Sequence, residues 1–212
     1  MNKSLSELAI ISYGKDYKNN PPGESIPIYG TGGILGYTSK GLNIGPSVLT
    51  GRKGSINNPI YVEGEFWNVD TIYCIKVLEN NDPKWLYYNL CNKNLSLLNE
   101  ATGVPSVSTD ALYKLRFTYF LPPNQRKIAR ILNTVDNIIE KTESALKKYN
   151  AIKQGMMHDL FTRGIDVETG KLRPPYEDAP ELYKETELGM IPKEWKLDKI
   201  KNVTHSNVSR SV

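Results

Sequence analysis

LPPNQRKIARILNTVDNIIEKTESALKKYNAIKQGMMHDLFTRGI, residues 121–165, repeats apolar side chains three and four positions apart. The row runs through Ile128, Leu132, Val135, Ile139, Thr142, Leu146, Tyr149, Met156 and Leu160, with Ile152 beside Lys153, where the next rung would fall. That spacing is a heptad seam on one continuous helix. Pro122 and Pro123 suit the start of a helix, Asn124 is a candidate cap, and Gly164 is the expected stop. About 40 residues at 1.5 Å each span roughly 60 Å. A core-facing helix folded back on its own domain would explain a shorter stripe. One this long, left bare, would promote aggregation, so a partner helix is the expected cover. The residues expected at that contact are Ile128, Leu132, Val135, Ile139, Leu146, Tyr149, Ile152, Met156 and Leu160. The pattern leaves parallel and antiparallel pairing open. Gly155 interrupts the seam at a cost of about 1 kcal/mol relative to alanine, which points to a close backbone approach or a bend.

Outward from the helix, residues 1–121 read differently. Short β-prone runs at 26–29, 47–50, 60–62, 71–77 and 115–121 alternate with Gly and Pro turns, and one helical spacing covers 84–99. The expected class is α+β: one mixed, sheet-rich domain over 1–121, then the long coiled-coil helix over 122–164. Residues 165–212 are polar and proline-bearing, and read as an irregular connector followed by the start of a second repeat unit. The repeat is read from Leu197, Ile200, Val203 and Thr204, which echo the spacing of Leu5, Leu8, Ile11 and Ser12.

Composition bounds the function. With 39% apolar and 24% charged residues, the chain has enough for a core and is not a disordered sequence. No run approaches the roughly 20 apolar residues of a membrane span, and residues 1–20 lack a signal-peptide core, so a cytoplasmic location without membrane partners is expected. Cys74, Cys91, His158 and His205 have no metal-ligand spacing and read as ordinary thiols and imidazoles. A net charge of +4 permits nucleic-acid binding without requiring it.

Two Gly-rich stretches fail the nucleotide motifs. After Gly30 and Gly32 the third fingerprint position holds Leu35, and Gly45 to Gly51 encloses five residues before Arg52 and Lys53 rather than four before Lys-Ser/Thr. TGRKGS, residues 50–55, is a tight turn that lets backbone approach a phosphate while Arg52 and Lys53 reach a phosphate or a guanine edge. A basic surface hairpin explains the same residues equally well. Tyr29, Thr31, Tyr37, Lys40, Ser55, Asn57 and Asn58 lie in the same loop-rich region and complete the candidate DNA-binding set. RPPY at 173–176 resembles an amino-methyltransferase signature, but Arg173 cannot accept the hydrogen bond that site needs, so it reads as linker. Glu63, Glu65 and Asp70 are the acids a metal-dependent nuclease would use, at no persuasive spacing. No catalytic residue and no metal site is expected.

Residues 121–165 closely resemble the central helix of the DNA-specificity subunits of type I restriction-modification systems, through the Pro-Pro start, Gln125-Arg126-Lys127-Ile128-Ala129 and Lys153-Gln154-Gly155-Met156-Met157. ELGMIPKEWKLDKI, residues 187–200, is similar to the segment that opens the second half of such a subunit. IPIYGTGGILGY, GRKGSI and FWNVDTIY, at 26–37, 51–56 and 66–73, sit where a target-recognition domain carries similar stretches. The resemblance implies a half-subunit form with one recognition domain and one helix, where full-length members carry two of each with the helices antiparallel. It further implies a chain without chemistry of its own that binds double-stranded DNA, pairs with a second copy, and docks an adenine methyltransferase (modification) subunit. S-adenosylmethionine would sit on that subunit and no cofactor on this chain; a motor-nuclease (restriction) subunit is left open. A two-fold pair demands an interrupted palindrome. The rival classes are a coiled-coil interaction protein without DNA specificity and a small metal-dependent nuclease. The bases read and the spacer length do not follow from the sequence.

Overall fold

The computed structural model describes residues 1–203 other than Glu79. The chain forms two compact units, Met1–Ile138 and Ile139–Val212, that meet within one unbroken helix.

The first unit is organised by strands in which both faces are apolar. β1 (Asn2–Ser4) leads to β2 (Ala9–Tyr13), β3 (Pro22–Gly30), β4 (Gly33–Thr38), β5 (Asn43–Ile44), β6 (Ser47–Gly51), β7 (Ile60–Val62), β8 (Glu65–Asn68) and β9 (Ile72–Val77). One sheet has the order β2-β9-β6-β7, all antiparallel, and the other β4-β3-β8-β5, with β3 and β8 parallel. Every residue of β6 is buried. Alternation sends Val48, Tyr73 and Ile75 into one core and Leu49, Ile72 and Cys74 into another. The second core continues through Ile28, Phe66 and Trp67 of the neighbouring sheet. The first is capped by Trp85, Leu86 and Leu90 of α1 (Pro83–Cys91) and by Leu112 of α2 (Thr109–Tyr113). β10 (Arg116–Thr118) then pairs with β1, placing the two ends of this unit's sheet region side by side.

The helical spacing at 84–99 resolves into two pieces. α1 stops at Cys91, and a 3-10 turn follows over Leu95–Leu98. The break lies where Asn94 accepts the Ser96 amide with its side chain and Asn57 Oδ1 takes the Leu95 amide at 2.7 Å. Asparagines that satisfy local amides compete with helix continuation.

α3 (Pro122–Thr162) is the long helix. Asn124 is not its cap. It lies inside the first turn, and its amide, like that of Gln125, donates to the Leu121 carbonyl. Pro122 and Pro123 have no amides to be left unpaired, so the first turn needs no side-chain cap. What anchors the start is Gln125, fully buried. Its Nε2 donates to the Phe120 carbonyl at 2.8 Å and to Asn81 Oδ1 at 3.1 Å, and its Oε1 accepts the Asp82 amide at 2.8 Å. Asp82 in turn caps α1 by accepting the Trp85 amide. Ala129 follows into the first core, Lys84 Nζ donates to Asn133 Oδ1 at 2.8 Å, and Tyr88 donates its hydroxyl to Asp136 Oδ2 at 2.6 Å. Burial, followed by that bond, raises the Tyr88 phenol well above its usual range.

In the second unit α3 ends as expected before Gly164, at φ +65°, whose amide donates to the Asp159 carbonyl. A side chain there would also strike the Trp195 ring. The stretch read as an irregular connector runs into regular structure at its end. β11 (Tyr183–Thr186) and β12 (Gly189–Pro192) form a hairpin, with Tyr183 and Ile191 buried. Arg173, read as linker, is buried, donates to the Arg163 carbonyl and pairs with Glu194. α4 (Ile200–Val203) follows. The echo of the N-terminal spacing does not reproduce its packing: Leu5, Leu8 and Ile11 are core residues, whereas Leu197 and Ile200 are exposed. Thr204, His205 and the rest of the expected second repeat, 204–212, lie outside the described residues. Among the described residues no helix is long and apolar enough to cross a membrane.

Gln125→Ala leaves the Asp82 amide and the Phe120 carbonyl without this partner, and is expected to cost about 2–6 kcal/mol at roughly 1–3 kcal/mol per orphaned group. Urea denaturation reads this as a lower midpoint; a midpoint equal to that of wild type would remove Gln125 from the anchor.

Candidate nucleic-acid interface

The strand ends gather the candidate residues unequally. At the end of β6 the chain doubles back so tightly that a Cβ on Gly51 would stand 2.3 Å from the Ser55 carbonyl oxygen, and Gly54 is left-handed at φ +89°. The amides of Arg52 and Lys53 both donate to the Thr71 carbonyl, at 2.8 and 3.1 Å, and that of Gly54 to the Pro105 carbonyl at 2.9 Å. The amides of Arg52, Lys53 and Gly54 are thus spent inside the protein.

The Arg52 guanidinium is held by neighbouring groups. Its Nη1 donates to the Asp70 carbonyl at 3.1 Å, and its guanidinium carbon lies 5.4 Å from the centre of the Tyr13 ring. Tyr13 packs edge-on against Tyr73, with ring centres 5.2 Å apart, and Tyr73 donates its hydroxyl to the Val107 carbonyl. Burial, then the neighbouring Tyr13, pushes the Tyr73 phenol up, so it stays a neutral donor. A guanidinium has five N–H donors in a fixed fork, and the Asp70 carbonyl uses one side of it. Lys53 is exposed beside it, and Thr31, in the β3–β4 turn, stands 3.5 Å from the position a Cβ on Gly54 would take.

The other candidates fall elsewhere. Asn57 spends its Oδ1 on the Leu95 amide, while Ser55 and Asn58 remain exposed along an open groove shared with Ser96, Asn99 and Pro105. Tyr29 is half-buried, edge-on to Phe66 at 6.2 Å, with its phenol raised first by burial and then by Tyr37. Tyr37 is half exposed on β4. Lys40 lies past the far end of the β3–β4 hairpin, where Thr38 pairs with Pro22, roughly 17 Å of strand from the Thr31 turn. Tyr13 was not among the residues singled out from the sequence. Its only local signal is the Gly14 that follows, where a Cβ would stand 2.0 Å from the Val69 carbonyl oxygen. The pairing of β2 with β9, which the sequence does not reveal, carries it to Arg52.

Glu63 and Glu65 sit at the β7–β8 turn, where Glu65 Oε1 accepts the Gly41 amide, and Asp70 lies beyond the other end of β8. Among the described residues no three of His, Cys, Asp and Glu lie together as a metal site would require.

Along α3 the seam is bare in the single chain. Ile128 packs partly against the first core, and from Leu132 onward exposure runs from 39% there and at Leu160 to 68% at Tyr149. A Cβ on Gly155 would meet nothing within 4 Å, and the helix continues through it, so no close approach within the chain explains that glycine.

With this geometry in hand, comparison with known proteins is informative. Residues 1–150 match the family described as the type I restriction modification DNA specificity domain. Over 126 residues the chain is 32% identical to the type I restriction enzyme MjaVIII specificity subunit of Methanocaldococcus jannaschii, an alignment covering 58% of this chain and 26% of that protein. It is 30% identical over 128 residues to the putative MjaX specificity subunit of the same organism, covering 57% and 27%. Among solved structures, the S subunit of a type I restriction-modification system from M. genitalium superposes with a TM-score of 0.63 at 18% identity, over 76% of this chain and 45% of that one. The HsdS subunit from Thermoanaerobacter tengcongensis gives 0.51 at 14%, over 68% and 39%. The chain thus spans about a quarter of the curated relatives and under half of the solved ones. The structural likeness shows a common fold of mixed sheets followed by a long helix.

Asn57→Ala, which strands the Leu95 amide, is expected to lower stability by about 1–3 kcal/mol, whereas Asn58→Ala changes it by no more than about 0.5 kcal/mol. Equal denaturation midpoints for the two variants would contradict the assignment of Asn57 to packing.

Proposed function

The chain belongs to the type I restriction-modification DNA specificity family, and from that premise we propose that it is the non-catalytic reader of one half of an interrupted DNA site, paired with a second copy through α3. The observation that carries the reading is the Arg52 fork, held by the Asp70 carbonyl and the Tyr13 ring beside the exposed Lys53 in a domain of this family. A pre-positioned guanidinium suits the O6 and N7 of guanine or a backbone phosphate, and Lys53 beside it suits a second phosphate. Thr31, Ser55 and Asn58 supply neutral donors and acceptors nearby.

Pairing follows from the bare seam. Covering it with the same seam of a second copy in a two-fold arrangement puts one recognition domain at each end, and two-fold symmetry makes the DNA target palindromic. With roughly 60 Å of helix less the inward reach of the domains, the half-sites fall about one turn of DNA apart or somewhat more, at roughly 34–36 Å per turn. The chemistry belongs to a partner: an adenine methyltransferase subunit carrying S-adenosylmethionine, directed by this chain to its base. A motor-nuclease subunit would complete a restriction complex on the same scaffold.

Arg52→Ala with Lys53→Ala is expected to weaken DNA binding and flatten its salt dependence by about 1.8 in log–log slope, if each side chain neutralises one phosphate at about 0.9 each. Unchanged affinity and slope would take this turn out of the interface. In sedimentation at micromolar concentration the wild-type chain should run as a dimer and Val135→Asp with Ile139→Asp as a monomer. A monomeric wild type would refute the pairing.

A further inference from the structure

Residues 99–107 form a loop whose returning arm is tied to the TGRKGS turn. The Gly54 amide donates to the Pro105 carbonyl at 2.9 Å, the Val107 amide donates to the Arg52 carbonyl at 3.0 Å, and Lys53 and Ser106 face each other as an antiparallel bridge. Asn99 closes the base of the loop. Its Oδ1 accepts the amides of Ala101 and Ser106, at 3.1 and 2.9 Å, and its Nδ2 donates to the Ala101 carbonyl at 2.9 Å. The Glu100 amide donates to the Ser106 carbonyl, and the Glu100 carboxylate, the one acid of the loop, accepts the Ser108 hydroxyl. What faces outward is the tip, Thr102 to Pro105, with Val104 67% exposed.

We infer that this loop is a second reading element beside Arg52, and that Val104 reads the 5-methyl group of a thymine. The inference rests on the DNA reading proposed above and names a base that the domain selects. A valine side chain has neither donor nor acceptor, so it distinguishes base pairs only through an apolar group. In the major groove that group is the thymine methyl, the other base edges being marked by amino, carbonyl and ring-nitrogen positions. The same groove presents the guanine O6 and N7 that suit the Arg52 fork. Ser106 is the bridge partner of Lys53, and Val104 lies two residues, at most about 7 Å of chain, from Ser106. Readers set that close fall on one half-site.

An exposed valine by itself is ordinary. Two features set this one apart. The first is how it is held: Asn99 and the ties to the turn fix the backbone on both sides of the tip, so its side chains meet a ligand with little ordering left to lose. A Cβ on Gly103 would meet nothing within 4 Å, so the tip stands clear of the rest of the chain. The second is charge. With Glu100 engaged by Ser108, the turn that anchors the loop carries two cations, Arg52 and Lys53, which draw in a phosphate backbone. An apolar contact on a stiff tip beside phosphate-seeking side chains is what reading a methyl on a duplex requires.

Duplexes selected from a random-sequence pool by the full chain with its methyltransferase subunit give the motif. Each thymine of a half-site, on either strand, is then replaced singly by deoxyuridine, which removes the methyl and nothing else. At one position the replacement should weaken binding by the wild type about fourfold, the worth of burying one methyl group. Val104→Ala should bind the thymine duplex more weakly and shrink that difference to less than about twofold, with an unchanged urea midpoint because Val104 packs against no core. A half-site without thymine, a half-site with no methyl-sensitive position, or a thymine–deoxyuridine difference that Val104→Ala retains in full would each overturn the inference and leave the DNA reading intact. A wild type that selects no sequence from the pool refutes both.

Discussion

Apolar surface on a helix must be covered, and α3 has far more of it than its own unit can cover. Gln125, Ala129, Asn133 and Asp136 bind the first turns to α1 and the first core. Beyond them Ile139, Leu146, Tyr149, Ile152, Met156 and Leu160 stand at least 39% exposed on one face. A stripe of that size, in a sequence with Lys and Glu on the opposite face, is the surface that the proposed pairing would cover.

The polar anchor gives that helix a direction. Gln125 fills three hydrogen bonds at the junction of α1 and α3 with no exposed surface, and removing a buried amide partner costs more than a typical surface contact provides. The Tyr88–Asp136 and Lys84–Asn133 bonds extend the same clamp along the next two turns. At the end of β6, the TGRKGS turn spends the amides of Arg52, Lys53 and Gly54 on Thr71 and Pro105, with Arg52 half-buried and Lys53 exposed. One region is thereby built to hold a helix and another to present a guanidinium, with the doubly buried β6 and β9 between them.

The helix was legible in the sequence because its signal is local: heptad spacing, prolines at the start and a glycine after the end all act within a few residues. The class, mixed sheet followed by helix, was legible for the same reason. What escaped depends on long-range pairing. β2 and β4 carry exposed Ile10, Tyr13, Ile34 and Tyr37 beside buried residues, so their alternation does not stand out from the loops around them. The helical spacing at 84–99 hid the break at Asn92–Asn94, which Asn57 stabilises from a distant loop. Arg173 reads as linker until Gly164, Glu194 and Trp195 close around it. In the candidate interface, adjacency in sequence identified Arg52 and Lys53. Tyr13 becomes their neighbour only through the β2–β9 register, and Lys40 is removed from them by the length of a hairpin.

If the helix sets the distance between two readers, lengthening it must lengthen the gap in the DNA motif. One heptad inserted between Ser144 and Ala145 preserves the seam and adds about 10.5 Å of helix at 1.5 Å per residue. At about 3.4 Å per base pair, that is about three base pairs. Methylation sites mapped in cells expressing the chain with its methyltransferase partner should then form a palindromic split motif. Its half-sites should match those of the wild type, with a gap wider by about three base pairs. A methylated motif with an unchanged gap, or one that is not a palindrome, would contradict the account.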